Sequence, residues 1–359
     1  MRTNNQILKL FPNVVPLKGY NRSLLVDLLN GEPHLVPNDL IDYLEQTPTI
    51  EIEEYEKFIL DNELGILIDS ELGECLTPLP LNYYPTSKIN NAILELDGSS
   101  SWNLQSVLMR LDELGTQFLE VRFLDYSSFV EHLNSIQKHS NETTIEYIQI
   151  MVPFDENLKH FLDSNLEEHF FRLSSIVIYN ASAGFELKTN HYNLIFTSQQ
   201  SVSHENCGNI SQDYFAANSQ TYIRNRNYNS CLAYKISVDK DGFICNCPSI
   251  EKKYEHVDSV TFSEVIDLRE FREKWELTKD KLLVCSVCEF RWLCTDCRAF
   301  TVDDIENGKP SKCTYNPFIS LWAGEENYLS EKECGISFQG NRIEISEDTL
   351  NQINARIWG

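Results

Sequence analysis

Cys285-Ser286-Val287-Cys288-Glu289-Phe290-Arg291-Trp292-Leu293-Cys294-Thr295-Asp296-Cys297 carries two Cys-x2-Cys pairs separated by five residues. Thiolates at this spacing can bind one metal centre, because the turn between them aims both sulfurs the same way. Upstream, Cys231 is followed by ten residues, Gly242, four residues and Cys247; downstream, fifteen residues separate Cys297 from Cys313. One or two buried cysteines pack as small hydrophobes, but that reading does not accommodate all seven. With Cys207 there are eight thiols, enough for two four-thiolate centres. Zinc ribbons usually separate their pairs by about 15–20 residues, whereas iron–sulfur clusters take four thiolates each. No histidine stands at finger spacing, so clusters are the expectation and zinc the alternative.

The rest of the chain sets the context for these thiols. It has 359 residues, 42% of them hydrophobic and 23% charged, an ordinary globular composition that excludes a wholly disordered or fibrous chain. Lys+Arg number 30 against 54 Asp+Glu, a net charge of −24. That balance disfavours nucleic acid and anionic membrane surfaces as partners and favours solubility. No apolar run reaches the length of a transmembrane helix, and Met1 to Phe11 lacks the apolar core and cleavage site of a signal peptide. A cytoplasmic location is expected, and in a reducing compartment dense cysteine points to metal rather than disulfides. Of the eleven cysteines only Cys75 precedes Cys207, so a cysteine-poor front meets a cysteine-rich back.

Residues 1–85 read as a small α+β module. Val14–Gly19, Ser23–Leu29 and His34–Pro37 suggest three short strands, broken at Gly19 and at Asn30-Gly31. Asn38 is placed to cap a helix through Glu45 with Leu40, Ile41 and Leu44 inward. A second helix after Thr49 carries Glu51, Glu53 and Glu54 in its first turn and buries Ile52, Tyr55 and Ile59; Leu64–Ile68 closes the unit. A winged-helix-like module and a plain α+β cap both suit this order.

Residues 86–205 alternate. Strands are expected at Asn91–Leu96, Gln117–Leu124, Thr144–Val152, Ser175–Tyr179 and Tyr192–Thr197. Helices are expected at Trp102–Leu114, ended by Gly115, at Ser127–Lys138 and at Glu156–Glu168. This is the pattern of an α/β parallel sheet with helical crossovers, too short for a closed eight-stranded barrel. A half-barrel and a small open sheet both fit. Gly98-Ser99-Ser100-Ser101 matches no phosphate fingerprint and reads as a turn.

Longer strings around the cysteines carry a resemblance. Ser230-Cys231-Leu232, Lys235-Ile236-Ser237-Val238-Asp239-Lys240-Asp241-Gly242 and Asn246-Cys247-Pro248-Ser249 are followed by Cys288-Glu289-Phe290-Arg291. Asp296-Cys297-Arg298-Ala299-Phe300 and Lys309-Pro310-Ser311-Lys312-Cys313-Thr314-Tyr315-Asn316-Pro317 complete the set. Segment 206–330 resembles the SPASM domain, which holds auxiliary four-iron four-sulfur clusters in radical SAM peptide-modifying enzymes. In detail it is similar to the peptide maturases of grasp-with-spasm systems, where a precursor peptide and an ATP-grasp ligase are encoded alongside. The front half resembles the family more loosely: residues 1–85 look like a peptide-recognition winged helix and residues 86–205 like a degenerate radical SAM-type half-barrel, with 331–359 as a C-terminal extension.

The resemblance implies two 4Fe-4S clusters. The first would take Cys207, Cys231, Cys247 and Cys297, with Cys245 as a possible substitute, and the second Cys285, Cys288, Cys294 and Cys313. One departure is informative. Where the family carries Cys-x3-Cys-x2-Cys after the first barrel strand, this chain has Leu94-Glu95-Leu96-Asp97-Gly98-Ser99-Ser100-Ser101-Trp102-Asn103. SAM is therefore not expected as a cofactor, and no catalytic residue is named. Phe290 and Trp292 are expected to shield a cluster, Glu289 and Arg291 to pair or face water, and Asp239 and Asp241 to make a turn around Gly242. His191 and His204 are read as loop residues, Cys75 and Cys334 as ordinary thiols. Three functions follow: precursor binding and presentation to an ATP-grasp ligase, a redox enzyme or electron carrier acting on a peptide, or a zinc-stabilised interaction module.

Overall fold

The chain opens with β1 (Gln6–Leu10), β2 (Val14–Lys18), β3 (Ser23–Asp27) and β4 (Glu32–Val36), then α1 (Asn38–Glu45), α2 (Glu53–Asp61) and β5 (Gly65–Asp69). β2, β3 and β4 form an antiparallel meander, and β1 pairs with β5 in a separate two-stranded sheet. β3 decides how this region packs. Its run Leu24-Leu25-Val26 is apolar without alternation, as expected of a strand covered on both faces. Successive side chains point to opposite faces. Leu25, with Val14 and Val36, joins Leu40, Ile41, Tyr43 and Ile59 of the helices. Leu24 and Val26, with Val15 and Leu17, join Phe290, Trp292, Leu293 and Tyr315. The meander thus shares one core with the cysteine-rich stretch.

The computed structural model describes residues 5–45, 52–158, 170–189, 192–199, 210–302, 305–340 and 342–359. They fall into two compact units: Met1–Tyr83 with Asn209–Ser230 and Leu277–Gly359, and Tyr84–Gly208 with Cys231–Glu276. Segment 206–330 contributes to both.

The second unit is built on an eight-stranded, mostly parallel sheet. Its strands are β6 (Asn91–Leu96), β7 (Phe118–Phe123), β8 (Tyr147–Pro153), β9 (Leu173–Tyr179), β10 (Phe185–Lys188), β11 (Asn193–Phe196), β12 (Lys235–Val238) and β13 (Ile244–Cys245). The order is β10-β11-β9-β8-β7-β6-β12-β13, with the six inner strands parallel and an antiparallel strand at each edge. The crossover helices are α3 (Leu104–Glu113), capped by Asn103, and α4 (Phe129–Ser140). Leu94, Leu96, Val121, Phe123, Ile148, Ile150, Ile176 and Ile178 are buried on one face. Phe129 of α4 meets Phe123 there edge-on at 4.9 Å. The opposite face carries Glu95, Glu120, Arg122 and Gln149.

The remainder of the first unit contains α5 (Ser219–Asn227), the short pair β14 (Tyr315–Asn316) and β15 (Leu321–Trp322), the hairpin β16 (Ile336–Gln339) and β17 (Arg342–Ile345), and α6 (Glu347–Trp358). The terminal segment is docked rather than trailing. Asn354 and Trp358 donate to the Phe318 and Ile319 carbonyls at 3.0 Å each, and Leu350 enters a core with Val284, Phe318 and Cys334.

Gln6–Leu10 adds a strand ahead of the three expected, and Lys235–Val238 joins the main sheet beside β6. Two helix faces differ from expectation. In α1 Tyr43 is buried and Leu44 only half so; in α2 Glu56 takes the inward place expected of Ile52, its carboxylate accepting a 2.9 Å bond from Tyr43. That bond lets a carboxylate sit inside. Asn38 donates to the Tyr20 carbonyl at 3.0 Å and accepts from Ser23 at 2.5 Å, tying the β2–β3 turn to the start of α1. Residues 156–158 are helical, and the rest of the helix expected to Glu168 lies outside the described residues.

Leu24→Ala should cost about 2–5 kcal/mol, because it opens a cavity in the shared core. Leu29→Ala, at a residue 79% exposed, should change stability by about 0.5 kcal/mol or less. Denaturant titration of both variants checks this; similar losses would mean the Leu24 face is not buried.

Candidate metal centre

Cys285, Cys288, Cys294 and Cys313 all lie in the first unit. Cys285 begins a single 3₁₀ turn, Cys285–Val287, after Val284 with φ of 66°. Backbone bonds from Cys288 to the Cys285 carbonyl (3.0 Å) and from Cys294 to the Phe290 carbonyl (3.1 Å) fold each cysteine back over its loop. Cys285 and Cys294 are buried, Cys288 and Cys313 half-buried, and none is in a disulfide. Cys288 and Cys313 pack against the core holding Phe290 and Trp292, so those rings line both the thiols and the meander.

Burial disfavours the charged forms of Cys285, Cys288 and Cys294; Cys285 is pushed up to about 12, opposed by Lys279, with Cys313, Asp296 and Cys294 contributing. Cys294 is pushed up to about 11, opposed by Lys279, and Cys288 is raised by burial, by Glu289 and by Cys313 and Cys285. Among the described residues, no three His, Cys, Asp or Glu side chains are drawn together as a ready-made ion site.

The charged neighbours test whether a cluster would fit. Lys279, with a side chain 6% exposed, donates to the Cys294 sulfur at 3.3 Å. Burial works against its charge, but the anionic forms of Cys294, Cys285, Asp296 and Cys313 outweigh it and raise its pKa above the usual lysine range. Asp296 is 3.9 Å from Lys279 but only 2.8 Å from Arg298, and it accepts from Asn229 at 2.6 Å. Lys309, facing Cys313 electrostatically, is paired with Glu331 at 2.5 Å. The carboxylate nearest Lys279 is thus already paired with Arg298. A buried cation against a cysteine sulfur, with its nearest carboxylate shared, suits a centre that is negatively charged, as a four-thiolate cluster is.

Glu289 and Arg291, adjacent in the motif, do not pair with each other. Glu289 is fully buried and accepts from Arg22 Nε at 2.8 Å and from the Tyr315 hydroxyl. Burial holds its carboxyl above the usual range, with Tyr315 and Arg22 offsetting only part of that. A side chain on Gly19 would put Cβ 3.0 Å from Glu289 Oε2, so the bare backbone there permits the approach. Arg291 binds Asp280 at 3.1 Å and the Lys18 carbonyl at 2.7 Å, and lies 4.3 Å over Trp292. Motif residues therefore grip the β2–β3 turn from two sides.

Of the other proposed ligands, Cys231, Cys245 and Cys247 lie in the second unit, Cys297 lies in the first, and Cys207 is outside the described residues, as are His191 and His204. Lys235 donates to the Cys231 sulfur at 3.4 Å. Cys245 sits opposite Ser237 in the β12–β13 pair, and burial, Asp239 and Cys247 together keep its thiol protonated. Gly242 has φ of +85°, and a side chain there would strike His256 at 2.2 Å. Asp239 accepts from the Asp241 and Phe243 amides at 3.0 and 2.9 Å and also pairs with Lys253, so it is more than a turn former. Cys75 is exposed, whereas Cys334 is buried in the terminal core. Sequence reading missed Lys279, because a lysine between Thr278 and Asp280 carries no motif.

The carboxyl end of β6 is where strand order reverses, β7 leaving on one side and β12 arriving on the other. Asp97 accepts from the Ser99 amide at 2.8 Å, an Asx turn. Ser100 and Trp102 donate to the Lys240 carbonyl at 2.9 and 3.2 Å, and Lys240 lies 3.4 Å from Asp97. The polar groups of this loop are thus engaged with the β12–β13 hairpin.

No family model matches the chain, and no curated protein matches its sequence. Among solved structures, Streptococcus suis SuiB bound to S-adenosylmethionine aligns at 10% identity and a TM-score of 0.33, covering 82% of this chain and 96% of that one. SuiB in a second structure aligns at 10% identity and 0.31, covering 87% and 99%. Its complex with the precursor peptide SuiA aligns at 10% identity and 0.29, covering 83% and 95%. Likeness at this level does not establish a common fold.

Proposed function

We propose that this chain is an iron–sulfur protein of ribosomal-peptide maturation that binds a precursor peptide and works with an ATP-grasp ligase. The observation that carries the iron–sulfur reading is the set Cys285, Cys288, Cys294 and Cys313, buried or half-buried, with the buried cation Lys279 donating to the Cys294 sulfur. Those four residues would hold one 4Fe-4S cluster; a bound cluster would supply one-electron redox capacity and a covalent staple for loops with little regular structure. A further cluster on Cys207, Cys231, Cys247 and Cys297, with Cys245 in reserve, rests on the resemblance alone. SAM has no part in this reading, since the segment after β6 carries no thiolate.

An open groove in the first unit supports the peptide part. Leu8, Leu10 and Phe11 line it on one side, Val14 and Pro16 on another, with Leu79 and Leu81 beyond. β1 and β2 are edge strands of their sheets among the described residues. An extended peptide can add to such an edge while its apolar side chains enter the groove, each backbone hydrogen bond contributing about 0.5–1.5 kcal/mol.

Protein purified without oxygen should contain about four iron and four sulfide for the Cys285–Cys313 set, and about eight of each if the second set is filled. Cys285→Ala should remove iron and lower the stability of the first unit by several kcal/mol, about as expected where ligation is coupled to folding. Cys75→Ala should retain the iron and cost about 1 kcal/mol or less. Colourless protein holding only zinc after anaerobic reconstitution would contradict the reading.

Titration of full-length protein with a labelled precursor peptide encoded beside its gene tests the groove. Leu81→Asp, at a residue 39% exposed, should leave the fold intact and weaken binding about tenfold or more, roughly 1.4 kcal/mol. Equal affinity would move peptide recognition elsewhere.

A further inference from the structure

We propose that Lys279 is a positioning residue that sets the reduction potential of the centre held by Cys285, Cys288, Cys294 and Cys313, by keeping a hydrogen bond and a positive charge against the Cys294 sulfur. The inference rests on the iron–sulfur reading above. Lys279 Nζ lies 3.3 Å from Cys294 Sγ and 3.9 Å from Asp296, with the side chain 6% exposed. Asp296 is already engaged by Arg298 at 2.8 Å and Asn229 at 2.6 Å. A buried ammonium is unfavourable unless negative charge faces it. Protonated thiols supply none, whereas thiolates bound to iron supply it where Lys279 points.

The consequence is electrostatic. Reduction adds one electron to the centre; no bond forms or breaks and no proton moves. Lys279 therefore stabilises the reduced, more negative state over the oxidised one, and hydrogen bonds to cluster sulfurs act in the same direction. A lysine that only filled space would leave the potential unchanged.

The test is an anaerobic titration of the full chain with dithionite as electron donor, followed by electron paramagnetic resonance, beside iron and sulfide analysis. Lys279→Met should shift the reduced-to-oxidised ratio about tenfold or more toward oxidised at fixed potential, about 59 mV for a one-electron couple. Lys279→Arg, which keeps the charge, should recover most of that shift. Asp296→Asn removes negative charge from the same surroundings and should shift the potential upward; it decides the matter if Lys279→Met fails to assemble. Wild-type protein without iron would overturn the iron–sulfur reading and this inference together. Wild-type protein with iron, and an unshifted potential in Lys279→Met, or in Asp296→Asn where the first variant does not assemble, would overturn this inference alone.

Discussion

The first unit depends on one strand being covered on both faces. β3 presents Leu25 to the helices α1 and α2, and Leu24 and Val26 to Phe290, Trp292, Leu293 and Tyr315. The second contact is why segments far apart in sequence form one unit: the rings that fix the cysteine loop are the same rings that bury the meander. The pair of half-buried Arg22 with buried Glu289 and the Arg291–Lys18 bond add direction to a contact that apolar packing alone leaves free to slide. Removing either side leaves the other with exposed apolar surface.

Much of this was legible in particular residues. β6 ends where the apolar alternation ends, at Leu96, and the helix expected over Trp102–Leu114 is found at Leu104–Glu113, capped by Asn103. The four parallel strands β6 to β9 follow the strand–helix alternation. What the sequence hid was long-range. Leu24-Leu25-Val26 reads as a strand in any context, and its lack of alternation was the one sign of a second partner. That partner sits more than 260 residues away, and nothing local names it. Lys235–Val238 reads as a hairpin strand beside Gly242, and only the fold adds it to the edge of β6. The division 206–330 followed the cysteines, whereas packing assigns residues 231–276 to the sheet unit.

At the proposed centre the split is similar. Thiol spacing is written in the sequence, because ligands held by one turn must be close neighbours in the chain. The charges around them are not. Lys279 stands between Thr278 and Asp280 and looks like a solvated residue, yet it is buried against Cys294. Asp296 lies between the motif cysteines, but its role emerges only from Asn229, Arg298 and Lys279 converging on it. Glu289 likewise reads as an exposed loop carboxylate until Arg22 and Tyr315 are found across it. Such groups tune a site rather than define it, and tuning groups carry no spacing rule.

Under the proposed iron ligation, metal binding by the cysteine loop and folding of the N-terminal sheet form one cooperative event in the first unit. Hydrogen exchange, read by mass spectrometry on iron-loaded and iron-stripped full-length protein, tests it most directly. The account predicts that stripping the metal lowers protection at residues 23–27 of β3 together with residues 285–297, while β8 of the second unit keeps its protection. Loss confined to 285–297, with β3 as slow to exchange as before, would contradict it.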